Sequence, residues 1–237
     1  MNKKQNSNIM LYGKHACFAA LENPKRKIKR IYLTDRTAKE LNLAPKHPTP
    51  KIISLKEFDK ILPQDAVHQG IALETEALPE YSLKDISESQ IIVALDQITD
   101  PHNVGAIMRS SIAFGADAII FTKDNAPSLS GALAKSASGV LEIIKCCKVT
   151  NLSRALEQLK KDGFWVAGLD GHTDTNIDKA NLSGKTVLVL GSEGKGLRKI
   201  TKSACDLLVR LPISNEIESL NVSNAAAIAL YEISRNK

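Results

Sequence analysis

The stretch IIVALDQITDPHNVGAIMRSSIAFGADAIIFT, Ile91 to Thr122, decides how the chain is to be read. IIVALD is a continuous apolar run closing on Asp96, and AIIFT is a second such run. Between them Val104, Ile107, Met108, Ile112 and Ala113 recur at helical spacing, with Gly115 as a stop. Asp100-Pro101 starts a turn, and Asn103 is placed to cap the helix. Strand, helix and strand follow one another. Strands apolar on both faces belong to a mostly parallel sheet covered by helices.

The alternation continues downstream. SGALAKSASG (130–139) reads as a short helix, LEIIKC (141–146) as a strand and LSRALEQLKKDG (152–163) as an amphipathic helix closed by Gly163. FWVAGLD, TVLVLG and LLVRLP are three further strands, and SLNVSNAAAIALYEISR (219–235) is a long helix with Ser219 or Asn221 as its cap. Upstream, residues 1–10 read as a flexible tail. LYGKHACFAALENP, from Leu11, predicts a helix; RIYLT, PKIISL and VHQGIALET predict strands, and LKEFDKIL a helix. This is a small α/β unit over 11–74. The acidic, polar stretch 75–90 reads as an inter-domain linker, and 91–237 as the second domain.

The 237 residues carry a net charge of +6, but residues 1–60 hold 14 Lys and Arg against 5 Asp and Glu, and the remainder 18 against 21. The basic excess is N-terminal and densest at Lys25, Arg26, Lys27, Lys29 and Arg30. Such a block is often a solvated face, but this asymmetry points to a polyanion, most simply nucleic acid. No signal peptide or apolar stretch of membrane-spanning length is present, so the cytoplasm is the expected compartment. Four cysteines, without zinc spacing, read as reduced, buried thiols, and no metal is expected.

Three polar stretches follow strands. LVLGSEGKGL (188–197) fails the phosphate-loop pattern, because Gly196 and not Ser or Thr follows Lys195, and its glycines do not match the dinucleotide fingerprint. That disfavours a nucleotide-binding dehydrogenase. Glu193 in a bare-backbone loop repels phosphate and suits a cationic or polar ligand. Arg109 lies six residues beyond Asn103 on a helix whose surroundings are apolar or small, which suggests that it reaches a pocket or a polyanion. LPISNEIESLNVSNAAAIALYE (211–232) runs from a strand through a polar loop into a helix offering Ser219, Asn221 and Ser223.

Together the three stretches resemble the motifs of the SpoU/TrmH class of RNA ribose 2′-O-methyltransferases within the SPOUT superfamily. D-P-x-N-x-G-x-x-x-R matches Asp100–Arg109, G-S-E-G-x-G matches Gly191–Gly196, and P-x(6)-S-L-N-V-S-x-A matches Pro212–Ala225. YGKHACFAAL and VHQGIAL resemble the start and final strand of that class's RNA substrate-binding domain. The nearest likeness is to enzymes that methylate a guanosine ribose in bacterial large-subunit (23S) rRNA. The resemblance implies a C-terminal parallel-sheet SPOUT domain with a deep trefoil knot, and S-adenosyl-L-methionine bound by Gly191, Leu211, Ile213 and Leu220. It also implies a homodimer with the active site completed across the interface. Arg109 takes the central catalytic role, as base or as phosphate and alkoxide stabiliser, with Asn103, Glu193, Ser219 and Asn221 holding loops and target nucleotide. A tRNA ribose methyltransferase and a non-catalytic RNA-binding or ribosome-assembly factor are the competing expectations.

Overall fold

The structure is a computed structural model describing residues 8–41, 43–124, 131–214 and 216–235. They divide into two compact units, within 1–79 plus 127–143 and within 80–126 plus 144–237.

The first unit holds a four-stranded sheet in the order β1-β4-β2-β3, formed by β1 (Ile9–Tyr12), β2 (Ile28–Leu33), β3 (Lys51–Ile52) and β4 (Ile71–Thr75). The β1–β4 and β2–β4 pairs are antiparallel, and β2–β3 is parallel. Helices α1 (Lys14–Glu22), α2 (Asp35–Glu40) and α3 (Leu55–Ile61) complete it. Leu11, Ile31, Leu33, Phe58, Ile71 and Leu73 are essentially fully buried. Leu11 and Tyr12 are therefore strand, not helix, and the strand begins inside the expected tail. The helix starts only after Gly13, whose φ of 90° turns the chain. Short α2 lies in a stretch without apolar periodicity, so no local pattern marks it; Thr34 caps it by accepting from the Thr37 N–H.

Residues 131–143 join this unit although the sequence places them in the second domain. They contribute α5 (Gly131–Ser136) and a 3-10 turn, Val140–Glu142. The reason is steric and electrostatic. A Cβ on Gly131 would stand 2.3 Å from the Met10 carbonyl oxygen and 2.5 Å from the Tyr12 ring, so only glycine lets α5 approach β1 this closely. Glu142 meets Arg26, whose Nε donates to Oε2 at 3.1 Å and whose Nη1 donates to the Glu76 carbonyl at 2.9 Å. The Asn23 amide adds a bond to the same carboxylate at 2.8 Å. The paired side chains are 2% and 4% exposed. Arg26 is thus a buried structural cation, a correction to its reading as an RNA contact. LEIIKC likewise splits: its first half is the 3-10 turn, and the strand starts at Lys145.

In the second unit β5 (Ile91–Asp96), β6 (Ala118–Thr122), β7 (Lys145–Val149), β8 (Trp165–Leu169), β9 (Thr186–Gly191) and β10 (Leu207–Val209) form one sheet. Its order is β10-β8-β9-β5-β6-β7, every neighbouring pair parallel, as expected from their apolar runs. Helices α4 (Pro101–Ala113), α6 (Leu152–Lys161), α7 (Lys199–Ser203) and α8 (Val222–Arg235) accompany it. α6 turns Leu152, Ala155, Leu156 and Leu159 into the core. The expected linker is largely ordered within this unit. Tyr81 bridges to Cys147, Ser82 and Asp85 form a capping box on the turn Leu83–Ile86, and Ile86 is fully buried. Among the described residues no helix is long and apolar enough to cross a membrane.

None of the four cysteines is in a disulfide; Cys17, Cys146 and Cys147 are buried and Cys205 is partly exposed. Burial, with Asp85 and Glu80 adding repulsion, pushes the Cys147 thiol up to about 11; burial, with Asp206, pushes Cys205 up to about 12. The thiolate is the reactive form, so at pH 8 a disulfide reagent should titrate almost no thiol in the folded protein and all four after denaturation. Rapid reaction of Cys205 in the folded state would contradict that burial. Removing one partner of a buried pair leaves an uncompensated charge. Arg26→Ala should therefore cost about 3–5 kcal/mol in urea unfolding, whereas Arg26→Met with Glu142→Leu should recover much of the loss. Equal stability of Arg26→Ala and wild type would remove the pair from any structural role.

Candidate active site

Strands β5 and β9 run in register so that Asp96 stands opposite Gly191 at their carboxyl ends. In open parallel sheets this is the edge where ligand sites form, because adjacent loops leave it together. Asp96 is fully buried, at the end of an otherwise apolar strand. It accepts from the Arg198 backbone N–H at 3.0 Å and from Arg198 Nε at 2.6 Å. This bidentate grip fixes the far end of the glycine loop to the end of the neighbouring strand. Neither residue was singled out from sequence, although an acid closing an apolar strand, and an Arg two residues beyond a glycine loop, were visible. Gln97, immediately after Asp96, has φ 64°, a left-handed conformation unusual for a side-chain-bearing residue.

The loop between these anchors folds back on itself. The Gly196 N–H donates to the Ser192 carbonyl at 2.8 Å, and Gly194 and Gly196 take φ of 76° and 62°. A Cβ on Gly191 would stand 2.2 Å from the Gly196 carbonyl carbon, whereas Cβ atoms on Gly194 or Gly196 would enter open space. Gly191 is glycine to let the loop close; the other two leave backbone bare.

Glu193, at the loop's tip, meets the other two motifs. Its Oε1 accepts from Asn103 Nδ2 at 3.1 Å, from Asn221 Nδ2 at 2.6 Å and from the Val222 N–H at 3.4 Å. Asn221 Nδ2 also donates to Asn103 Oδ1 at 3.0 Å, closing a three-membered ring of side chains. Asn221 Oδ1 accepts from the Ser223 N–H at 2.9 Å, so Asn221, not Ser219, caps α8. At α4 the cap is Asp100, which accepts from the His102 N–H at 3.0 Å with Pro101 in the first turn. Asn103 is the third residue of the helix, and its side chain is spent on the ring. The Glu193 carboxylate is thus held by a helix N-terminus and two amides; its Oε2 accepts no hydrogen bond from a described residue.

The remaining expected residues are less constrained. Arg109 is exposed on α4 and makes no hydrogen bond or ion pair with a described residue; six residues at helical pitch place it about 120° round the axis from Asn103. Ser219 is exposed and likewise unbonded to a described residue, while Leu211 and Leu220 are half-buried and Ile213 is 38% exposed. Leu211 and Ile213 follow β10, at the same carboxyl edge of the sheet. Bare loop backbone, aliphatic side chains and a carboxylate with one oxygen unbonded to any described residue are the kinds of group that suit a cationic nucleoside. Of the expected basic contacts, Lys27 and Lys29 lie 3.7 and 3.5 Å from Glu76 and Arg30 lies 3.6 Å from Glu74. Carboxylates therefore accompany this block along the first unit's sheet, an arrangement the linear charge count did not show.

The SpoU rRNA Methylase family matches residues 90–231, and the family described as RNA 2′-O ribose methyltransferase substrate binding matches residues 10–81. The 23S rRNA (guanosine-2′-O-)-methyltransferase RlmB of Pseudomonas putida is 36% identical over 240 residues, covering 96% of each chain. The protein of the same name from Coxiella burnetii is 36% identical over 238 residues, covering 96% of this chain and 95% of its own. Among solved structures, the SpoU methyltransferase AviRb from Streptomyces viridochromogenes in complex with AdoMet superposes with a TM-score of 0.82 at 22% identity, over 99% of this chain and 93% of that one. The last likeness is one of fold.

The Asp96–Arg198 pair should matter beyond its neighbourhood. Asp96→Ala is expected to lower stability by about 1.5–3 kcal/mol, the worth of hydrogen bonds to a charged group. Amide exchange at 192–198 should accelerate. Unaltered protection of that loop would show that it is held by something else.

Proposed function

The chain belongs to the SpoU rRNA methylase family, and from that premise we propose that it transfers a methyl group from S-adenosylmethionine to a ribose 2′-hydroxyl of 23S rRNA, at a guanosine. The observation that carries this is the ring of Asn103, Glu193 and Asn221, one residue from each of three separate motifs, at the carboxyl edge of the parallel sheet. The relatives' names favour large-subunit rRNA over tRNA as substrate. They also disfavour a non-catalytic assembly factor, which would not need the ring together with an arginine that meets no described partner.

When bound, S-adenosylmethionine supplies an electrophilic methyl on a cationic sulfur. The chain supplies the rest. Gly191 and the loop it closes, with Leu211, Ile213 and Leu220, hold the nucleoside of the donor; Glu193 offers its open oxygen to positive charge. Asn103 and Asn221 keep that carboxylate and the start of α8 in place. Ser219 lies just before this cap, within reach of the target nucleotide's polar groups. Arg109, unengaged by any described residue, grips a phosphate beside the target ribose and stabilises the oxyanion that develops at its 2′-oxygen as the hydroxyl proton passes to water and the methyl is taken up. A guanidinium stays protonated at any physiological pH, which weighs against its acting as the base.

Two finer features belong to the same proposal. The C-terminal segment is tucked through a trefoil knot, for which the resemblance of motifs 191–196 and 212–225 is the support. The chain also pairs with a second copy through α8, which leaves Ile228 and Tyr231 about half exposed, with the Phe114 ring set edge-on to Tyr231 5.7 Å away. A cytoplasmic enzyme acting on ribosomal RNA fits all of these.

Arg109→Ala removes a solvent-facing side chain with no partner among the described residues, so folding and donor binding should be unchanged while methyl transfer to undermodified 23S rRNA falls at least 100-fold. Transfer of labelled methyl at near wild-type rate would sink the role of Arg109. Label appearing in tRNA and not in 23S rRNA would overturn the substrate.

A further inference from the structure

The first unit holds a cleft of about 550 Å3 that has no part in the site above. It is two-sided. Leu55 and Val67, 63% and 58% exposed, give it an aliphatic flank. Lys14 and Arg36 give it a cationic one, both aligned by Glu40, at 2.9 Å and 3.0 Å. The Lys14 ammonium and Arg36 guanidinium outnumber the single carboxylate, so the cluster keeps a net positive charge.

The turn at its edge is built with strain. Gln69, with φ 55°, is one of few left-handed residues that carry a side chain, and Gly70 follows at φ 80°. Gly70 has no alternative, since a Cβ there would stand 2.3 Å from Thr37 Oγ1. The conformation turns Gln69 Oε1 onto the Lys14 backbone N–H at 3.0 Å, and its amide N–H2 donates to no described residue. His68 accepts the Gly70 N–H at Nδ1, 3.1 Å away, and stacks on buried Phe58 at 4.2 Å, leaving Nε2 as a donor. Burial holds the His68 imidazole below its usual titration range, with Asp59 opposing, so it is a neutral donor at pH 7. The Arg36 guanidinium plane beside an apolar flank, a fixed amide and imidazole, and a second cation match the parts that single-stranded RNA recognition uses: a plane for the base, polar groups for its edge, charge for its phosphate.

We propose that this cleft, lined by Lys14, Arg36, Leu55, Val67, His68 and Gln69, receives an unstacked nucleotide of the RNA substrate and is the first unit's point of recognition. The inference rests on the RNA-methyltransferase reading but concerns another surface. It adds a second basic surface to the run at residues 25–30, where Arg26 is buried against Glu142.

Ultraviolet cross-linking of the full-length wild-type protein to transcribed 23S rRNA, read by mass spectrometry, should place adducts at 67–70 or at Lys14. Lys14→Ala with Arg36→Ala should weaken binding at least tenfold and reduce the slope of log affinity against log salt by about 1.4, two phosphate contacts to single-stranded RNA. Binding of S-adenosylmethionine should not change. Cross-links confined to other segments, or unchanged affinity and slope, overturn the cleft; should the double variant misfold, the wild-type cross-links decide alone. A wild type that methylates rRNA but fails these tests leaves the enzyme reading intact. A wild type that binds RNA through the cleft but transfers no methyl to any RNA overturns the enzyme and not the cleft.

Discussion

The register of β5 against β9 is the constraint on which the site depends. It sets Asp96 beside Gly191 at the carboxyl edge of a sheet whose central strands are buried on both faces. From that edge one strand feeds the turn into α4 and the other feeds the glycine loop. Asp96 then holds the loop's far end through Arg198, so the loop's return is fixed by the strand beside it. A slip of one residue would turn Asp96 to the opposite face and lose this anchor.

On this scaffold Glu193 acts as a hub for the motifs before it acts on any ligand. An ionised carboxylate in an exposed loop has water available, and three N–H donors on one oxygen must outcompete it. They do so because two come from amides already fixed by helices α4 and α8, and the third is a free N–H at the start of α8. The cost of ordering is therefore met mostly by the helices. Glycine at 191 belongs to the same arrangement, since a side chain there would prevent the loop from closing.

The first unit shows a different balance. Its sheet is small, and it borrows 131–143 from the connection between β6 and β7. That segment is tied down by Gly131 against β1 and by the enclosed Arg26–Glu142 pair. The basic run that gives the N-terminal half its charge is thus partly internal wiring. What the composition registered as a polyanion-binding signal is, at Arg26, a packing device; at Lys27, Lys29 and Arg30 it is accompanied by Glu74 and Glu76, which lie on another strand.

Periodicity and apolar runs were enough to read the parallel sheet, most helices and the three polar loops, because strands buried on both faces and amphipathic helices leave local patterns. Motif spacing was enough to nominate Asn103, Arg109, Glu193 and Asn221. Local patterns failed where the cause was distant. Leu11 and Tyr12 are strand because β4 pairs with them; 131–143 changes unit because Gly131 fits β1; Asp100 and not Asn103 caps α4 because Asn103 is drawn to Glu193. The sequence by itself determined which apolar runs are buried and which residue types were nominated for chemistry, since hydropathy and residue type are written position by position. Tertiary structure alone decided which charges cancel, as Arg26 does on Glu142 and Asp96 on Arg198, and which meet no described partner, as with Arg109. Those pairings join residues a hundred or more positions apart, and electrostatic interaction depends on distance in space.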